Sequence, residues 1–223
     1  MRNSKTGLIG ALFIIALVVM AIIFYIKDGR PETQTANIAQ FSENTEHILG
    51  NPRAPLGIYV YSDINCPHCK NLHQTMRQVI NDYGKDGKIK WVSKHFPLHE
   101  VSQKEAEIAE CVAGVTGENS YWQFLNKLMT EAIESLNSEE EFTNSLIEMA
   151  GAMGVDKNKL EQCVEQNPYK EKINQSRQEA INLGAKGTPF IVLRKGEKII
   201  TIIPGALPYE ALKNLVEENI ESL

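Results

Sequence analysis

The tetrad Cys66-Pro67-His68-Cys69 constrains this chain more than any other feature, because of what flanks it. Before it, Leu56-Gly57-Ile58-Tyr59-Val60-Tyr61 is a β-rich run with apolar residues on both parities. A central strand buried on both faces has that pattern. After it, Leu72, Met76, Val79 and Ile80 fall at helical spacing. Pro67 suits the first helical turn, where a missing N–H costs nothing. The first cysteine is therefore expected to open a helix directly behind a buried strand. Helix N-termini carry partial positive charge and free N–H groups. Both stabilise a thiolate, so Cys66 is expected to ionise well below the free value of about 8.5. His68 can add positive charge or a hydrogen bond to the sulfur. Cys69, one turn further in, is expected to be the less exposed, resolving thiol. A disulfide whose leaving thiolate is stabilised is readily attacked and oxidising.

A CxxC pair also occurs in zinc sites, which need four ligands. Cys66, Cys69, His68 and His73 cannot converge from one helical turn, and there is no second CxxC. No metal and no cofactor is expected. The net charge of −5 offers no basic face for a nucleic-acid partner. At 223 residues, with ordinary apolar and charged fractions, the chain suits one domain with a sizeable core or one domain carrying an insertion.

Leu8 to Ile26 is an apolar run interrupted only by the small residue Gly10. As a helix of about 19 residues it would span about 28 Å, close to a bilayer core. A cleaved signal peptide has a shorter apolar region and a small-x-small site, whereas Lys27-Asp28-Gly29-Arg30 follows here. Arg2 and Lys5 favour an inside N-terminus, against a weaker pull from Lys27 and Arg30. The expected organisation is a membrane anchor over 1–28, a polar tether over 29–44 and a soluble domain over 45–223. That domain would lie outside the cytoplasm on a single-pass anchor.

Within the domain, Gly84 and Gly87 end the first helix, and Ile89 to Phe96 reads as a second strand closed by Pro97. From about 100 to 184 the pattern is helical. Ser138 with Glu141 is a capping box, Asp156 can cap the helix of Leu160, Cys163 and Val164, and Pro168 can open the next. Trp122, Phe124, Leu125 and Leu128 read as core of this insertion. After Gly187-Thr188-Pro189, Phe190 to Leu193 is a strand, Lys195-Gly196-Glu197 a hairpin turn and Lys198 to Ile203 its partner. Pro208 opens a last amphipathic helix. The order is β-α-β, a helical insertion, then β-β-α. Cys111 and Cys163, on two insertion helices, are either a structural pair in an oxidising compartment or two buried thiols acting as small apolar residues.

Cys66-Pro67-His68-Cys69, the downstream Gly187-Thr188-Pro189-Phe190 and the helical stretch between them resemble the thioredoxin-fold disulfide oxidases of the DsbA type. Tyr61-Ser62-Asp63 and His95-Phe96-Pro97-Leu98 resemble the membrane-anchored branch of that family. The resemblance covers about 45–223. It implies an α/β thioredoxin fold with a helical insertion, here behind one N-terminal transmembrane helix. It implies that Cys66, Pro67, His68 and Cys69 are catalytic and that Pro189 is a cis-proline facing the cysteines. Thr188 backbone groups would then pair with an extended substrate as an added strand. It implies a second disulfide, Cys111–Cys163. The partners implied are exported cysteine-containing proteins and a membrane quinone-linked reoxidising protein of the DsbB or VKOR kind.

One departure stands out: where members of the family often carry a buried carboxylate, six residues before the first cysteine, this chain has Val60. Asp63 is nearer the tetrad but is expected to cap or hydrogen-bond the turn. His73, His95 and His99 are expected to pack or hydrogen-bond, and His47 shows no evident chemistry. Two other functions fit parts of this pattern. A reductase or isomerase shares the fold, but isomerases of this type add a dimerisation segment for which the tether is too short. A non-catalytic thioredoxin-like chaperone would have no need of both cysteines beside the proline loop.

Overall fold

A strand that is apolar on both parities must have protein on both sides, and β2 (Leu56–Ser62) does. It is the middle of a five-stranded sheet of order β1-β3-β2-β4-β5, formed with β1 (His47–Gly50), β3 (Ile89–His95), β4 (Phe190–Lys195) and β5 (Lys198–Pro204). The computed structural model describes residues 46–131 and 138–220, together with Met20. Apart from Met20, the expected anchor and tether lie outside the described residues; among those, no helix is long and apolar enough to cross a membrane.

β3 runs parallel to β2, with Ser93 opposite Val60, while β4 runs antiparallel on the other side, with Ile191 opposite Val60. A parallel pair needs a crossover, and helix α1 (Pro67–Tyr83) supplies it. The β4–β5 hairpin turns at Gly196-Glu197, where Gly196 takes φ 54°. Both strands run slightly past the expected ends. Strand β1, antiparallel to β3 at the sheet edge, was not expected. Only Ile48 and Leu49 are apolar in it, and the turn-forming Asn51-Pro52 follows at once.

Alternation along the strands builds two cores. Ile58, Val60, Ile89, Trp91, Ile191 and Leu193 face one side, against Leu72, Met76 and Val79 of α1 and Leu212 and Val216 of the last helix, α7 (Tyr209–Ile220). Tyr59, Tyr61, Val92, Phe190 and Val192 face the other, where Ala180 covers them. Between β3 and β4 come α2 (Glu100–Thr116), α3 (Glu118–Thr130), α4 (Glu139–Ala152), α5 (Lys157–Gln166) and α6 (Lys170–Asn182). The caps follow the sequence: Ser138 Oγ accepts from the Glu141 N–H at 3.1 Å, and Asp156 Oδ1 from the Lys159 N–H at 3.2 Å. Trp122, Phe124, Leu125 and Leu128 are buried in α3. The architecture is the α/β thioredoxin fold with a helical insertion.

Candidate active site at the α1 N-terminus

Cys66 is the N-cap of α1, in extended conformation (φ −70°, ψ 121°), with Pro67 at the first helical position and no acidic side chain in the first turn. Its carbonyl accepts from the Lys70 N–H at 3.0 Å, starting the helix, and its own N–H donates to the Asp63 carbonyl at 3.2 Å. Cys66 is half-buried and Cys69 is buried, both as free thiols. The Cys66 thiol donates to the Thr188 carbonyl at 3.5 Å, and the Thr188–Pro189 bond is cis. The chain thus brings together Cys66, Cys69, Thr188 and Pro189 from two segments more than 100 positions apart, because β2 and β4 are neighbours in the sheet. Pro67 and His68 are exposed beside Cys66.

Burial pushes the Cys69 thiol up to about 12; the Thr188 hydroxyl pulls the other way, and the Cys66 sulfur adds to the rise. A Cys69 sulfur released by reduction therefore holds a proton at neutral pH.

The loop before Cys66 rests on a polar cluster of which the sequence pointed only to Asp63 and His99. Asp63, 1% exposed, accepts from the Asn65 N–H at 2.8 Å and the Ser102 hydroxyl at 2.6 Å through Oδ1. Its Oδ2 accepts from the Leu98 N–H at 2.7 Å, with His99 Nδ1 at 3.4 Å. It holds the turn, as expected of it. The Asn65 amide also donates to Glu105 Oε2 at 2.5 Å and lies 3.3 Å from Ser102 Oγ. Glu105 is 1% exposed. Burial raises it to about 8, Lys70 opposing and Asp63 adding to the rise. The signal that could have found it is periodic: Glu105, Ala109 and Val112 share a buried stripe of α2, and a glutamate in an apolar phase needs a partner.

A second buried cluster joins β1, α2, α3 and α6. His47 donates to Glu110 Oε2 (3.0 Å) and Glu118 Oε1 (2.8 Å) and stacks on Tyr121 with ring centroids 3.4 Å apart. Lys172 Nζ reaches Glu110 Oε2 at 2.7 Å. Burial alone would lower the His47 pKa, but the hydrogen bonds to Glu110 and Glu118 and the Glu110 charge raise it overall. Burial alone would raise Glu110, yet His47, His95 and Lys172 hold it down at about 2. His95 and His73 are both lowered to about 4 by burial, the Glu110 charge opposing for His95 and the Asn126 hydrogen bond for His73. His73, His95 and His99 take packing and hydrogen-bonding places. His47, in contrast, is the hub of a network and belongs to β1 rather than preceding the first strand. Among the described residues no group of His, Cys, Asp or Glu is arranged to hold a metal ion.

Cys111 of α2 and Cys163 of α5 are joined, with Cα atoms 5.8 Å apart across a separation of 52 residues.

Comparison with known proteins agrees with this geometry. The family profile described as Thioredoxin matches residues 42–218. Among curated relatives, a Na(+)/H(+) antiporter, NhaA 1, of Mycolicibacterium gilvum is 27% identical over 85 residues, covering 38% of this chain and 14% of the antiporter. A match to so small a part of a longer protein marks a shared segment, not a shared transport activity. A Rickettsia prowazekii protein provisionally named a protein-disulfide oxidoreductase is 24% identical over 166 residues, covering 74% of this chain and 58% of that one. The chain thus spans under two thirds of these relatives' length. Among solved structures, α-DsbA1 of Wolbachia pipientis superposes with a TM-score of 0.70 at 20% identity, covering 79% of this chain and 92% of that one. The thiol-disulfide exchange protein α-DsbA2 of the same organism gives a TM-score of 0.64 at 26% identity, covering 78% and 87%. With the profile spanning sheet, insertion and cysteine pair alike, the chain belongs to the thioredoxin family and has the fold of its DsbA-type members.

Proposed function

We propose that this protein is a thiol–disulfide oxidoreductase that introduces disulfides into exported proteins, with Cys66 as the exchanging sulfur and Cys69 as the resolving one. The observation that carries the reading is the pairing of a half-buried Cys66 at a helix N-terminus with the Thr188 carbonyl 3.5 Å away, and a buried Cys69 one turn in. In the oxidised enzyme a substrate thiolate attacks Cys66 Sγ. The Cys66–Cys69 bond breaks, the electron pair goes to Cys69, and Cys69 takes up a proton, which its raised pKa favours. A mixed disulfide joins substrate and Cys66. A second substrate thiolate attacks the substrate sulfur, and the pair leaves Cys66 as a thiolate facing the helix N-terminus and its exposed neighbour His68. Thr188 and Pro189 would hold an extended substrate segment against the edge of the site, main chain to main chain.

A quinone-linked membrane protein of the DsbB or VKOR kind would then reoxidise the pair. The apolar segment Leu8–Ile26 would tether the enzyme to the membrane with its domain outside the cytoplasm. Cys111–Cys163 would serve as a structural bridge, and the chemistry requires no metal or cofactor.

The test is a pair of variants. Cys66→Ser should abolish oxidation of a reduced substrate, and Cys69→Ser should accumulate mixed disulfides visible on non-reducing gels. Mixed disulfides at Cys69 in a Cys66→Ser protein would reverse the roles. Denaturant melts of the two redox forms decide direction: an oxidase is more stable reduced, and a more stable oxidised form would favour the reductase reading.

A further inference from the structure

Glu105 is a buried carboxyl group that accepts a hydrogen bond from the Asn65 amide at 2.5 Å. Asn65 is the residue before Cys66, so their Cα atoms lie about 3.8 Å apart. The donors around this cluster converge on Asp63, which takes the Asn65 N–H, the Ser102 hydroxyl and the Leu98 N–H. Two buried carboxyl groups joined through Asn65, which donates its N–H to Asp63 and its amide to Glu105, do not both ionise at little cost. The charged groups that face Glu105 are Asp63 from the loop and Lys70 from α1, with His99 at the start of its own helix against Asp63.

We propose that Glu105 is a positioning residue of the thiol–disulfide site: held against the loop by Asn65, its charge state sets how strongly the Cys66–Cys69 pair oxidises. This rests on the function proposed above. Reduction of the disulfide adds two electrons and their negative charge to the pair, and Cys69 keeps a proton. A neutral Glu105 tolerates that charge; an ionised Glu105 repels it and favours the disulfide. The midpoint of about 8 puts the change just above neutrality. At an effective dielectric near 20, like charges roughly 10 Å apart alter an equilibrium constant about tenfold. The enzyme is therefore the stronger oxidant below the midpoint and loses about tenfold above it. Because coupling is reciprocal, reduction raises the Glu105 midpoint by about one pH unit.

The experiment is the redox equilibrium of the protein with glutathione, at about pH 6 and about pH 10, for the parent and for Glu105→Gln, which stays neutral throughout. The two should agree at the lower pH. At the higher pH the glutamine variant should be about tenfold more oxidising, about 30 mV for a two-electron couple. Agreement at both values, or an equal offset at both, overturns the proposal. A pair that does not exchange with glutathione at all would instead overturn the function proposed above. Should the variant not fold, carbon-13 NMR titration of the Glu105 carboxyl in the parent decides the matter. A midpoint about one unit higher in the reduced than in the oxidised protein supports the coupling; the same midpoint in both refutes it.

Discussion

Replacing Glu110 by glutamine separates charge from packing in the buried network that ties β1 to the insertion. Glu110 is 2% exposed and accepts from His47 at 3.0 Å and Lys172 at 2.7 Å. Burial disfavours its charge, but His47, His95 and Lys172 together hold its pKa at about 2, against an ordinary 4.5. A carboxyl group depressed in the folded state contributes stability above its unfolded pKa and loses it as pH falls through the folded one. The window here is from 4.5 down to about 2. A depression of that size corresponds to about 3 kcal/mol at neutral pH, at about 1.4 kcal/mol per unit. The raised His47 pKa is the same pairing seen from its other end and is not added again. Glutamine keeps the shape and one acceptor, so the variant should be about 3 kcal/mol less stable at pH 6. At pH 3, about half of that difference should remain. Urea melts followed by tryptophan fluorescence report on the region, because Trp122 packs against Tyr121 and Trp91. A loss that is the same at pH 6 and pH 3 would show that Glu110 acts through packing and refute the electrostatic reasoning.

Replacing Cys111 and Cys163 together by alanine opens a loop of 52 residues. Chain entropy puts the cost at up to about 4 kcal/mol, usually less in practice, while glutathione equilibria of Cys66–Cys69 should be unchanged. A shifted equilibrium would show that the bridge shapes the active site. Asp63→Ala leaves the N–H groups of Asn65 and Leu98 and the Ser102 hydroxyl without their acceptor. At roughly 1 kcal/mol or more for each group, it should lower stability by about 3 kcal/mol in denaturant melts. A loss below about 1 kcal/mol would mean that the loop closes over the gap.

The scaffold was legible where local pattern and global fold agree. Leu56–Tyr61, apolar on both parities, is the central strand with a core on each face. The placement of Cys66 followed from Pro67 and the helical spacing of Leu72, Met76 and Val79. Strand β1 was not legible, since four residues paired along one edge carry too few side chains for an alternation to register. The buried glutamates were missed for a related reason. Hydrophobic periodicity treats Glu105 and Glu110 as breaks in the apolar face of α2, whereas both are buried there against partners far away in sequence. His47 and Asn65 escaped notice because each takes its role from a helix 40 or more positions downstream.

Those distant partners converge on one helix. α2 meets the loop before Cys66 through Ser102 and Glu105 near its start, and its third turn carries Glu110 against His47 and Lys172. The next residue, Cys111, bonds it to α5. Ser102 and Cys111 are nine positions apart, about 13 Å along the axis at about 1.5 Å per residue. A helix fixed by a covalent bond and a buried ion cluster at one end cannot drift at the other, so its first turns stand as a fixed wall behind Asp63 and Asn65. Asp63, enclosed by that wall and by the Leu98 N–H, in turn sets the turn whose carbonyl accepts from the Cys66 N–H. The position of the Cys66 sulfur therefore depends on the insertion as well as on the β-α-β unit that carries the cysteines. A chain cut back to the sheet and its two flanking helices would keep the tetrad but leave the buried Asp63 carboxylate without the Ser102 donor.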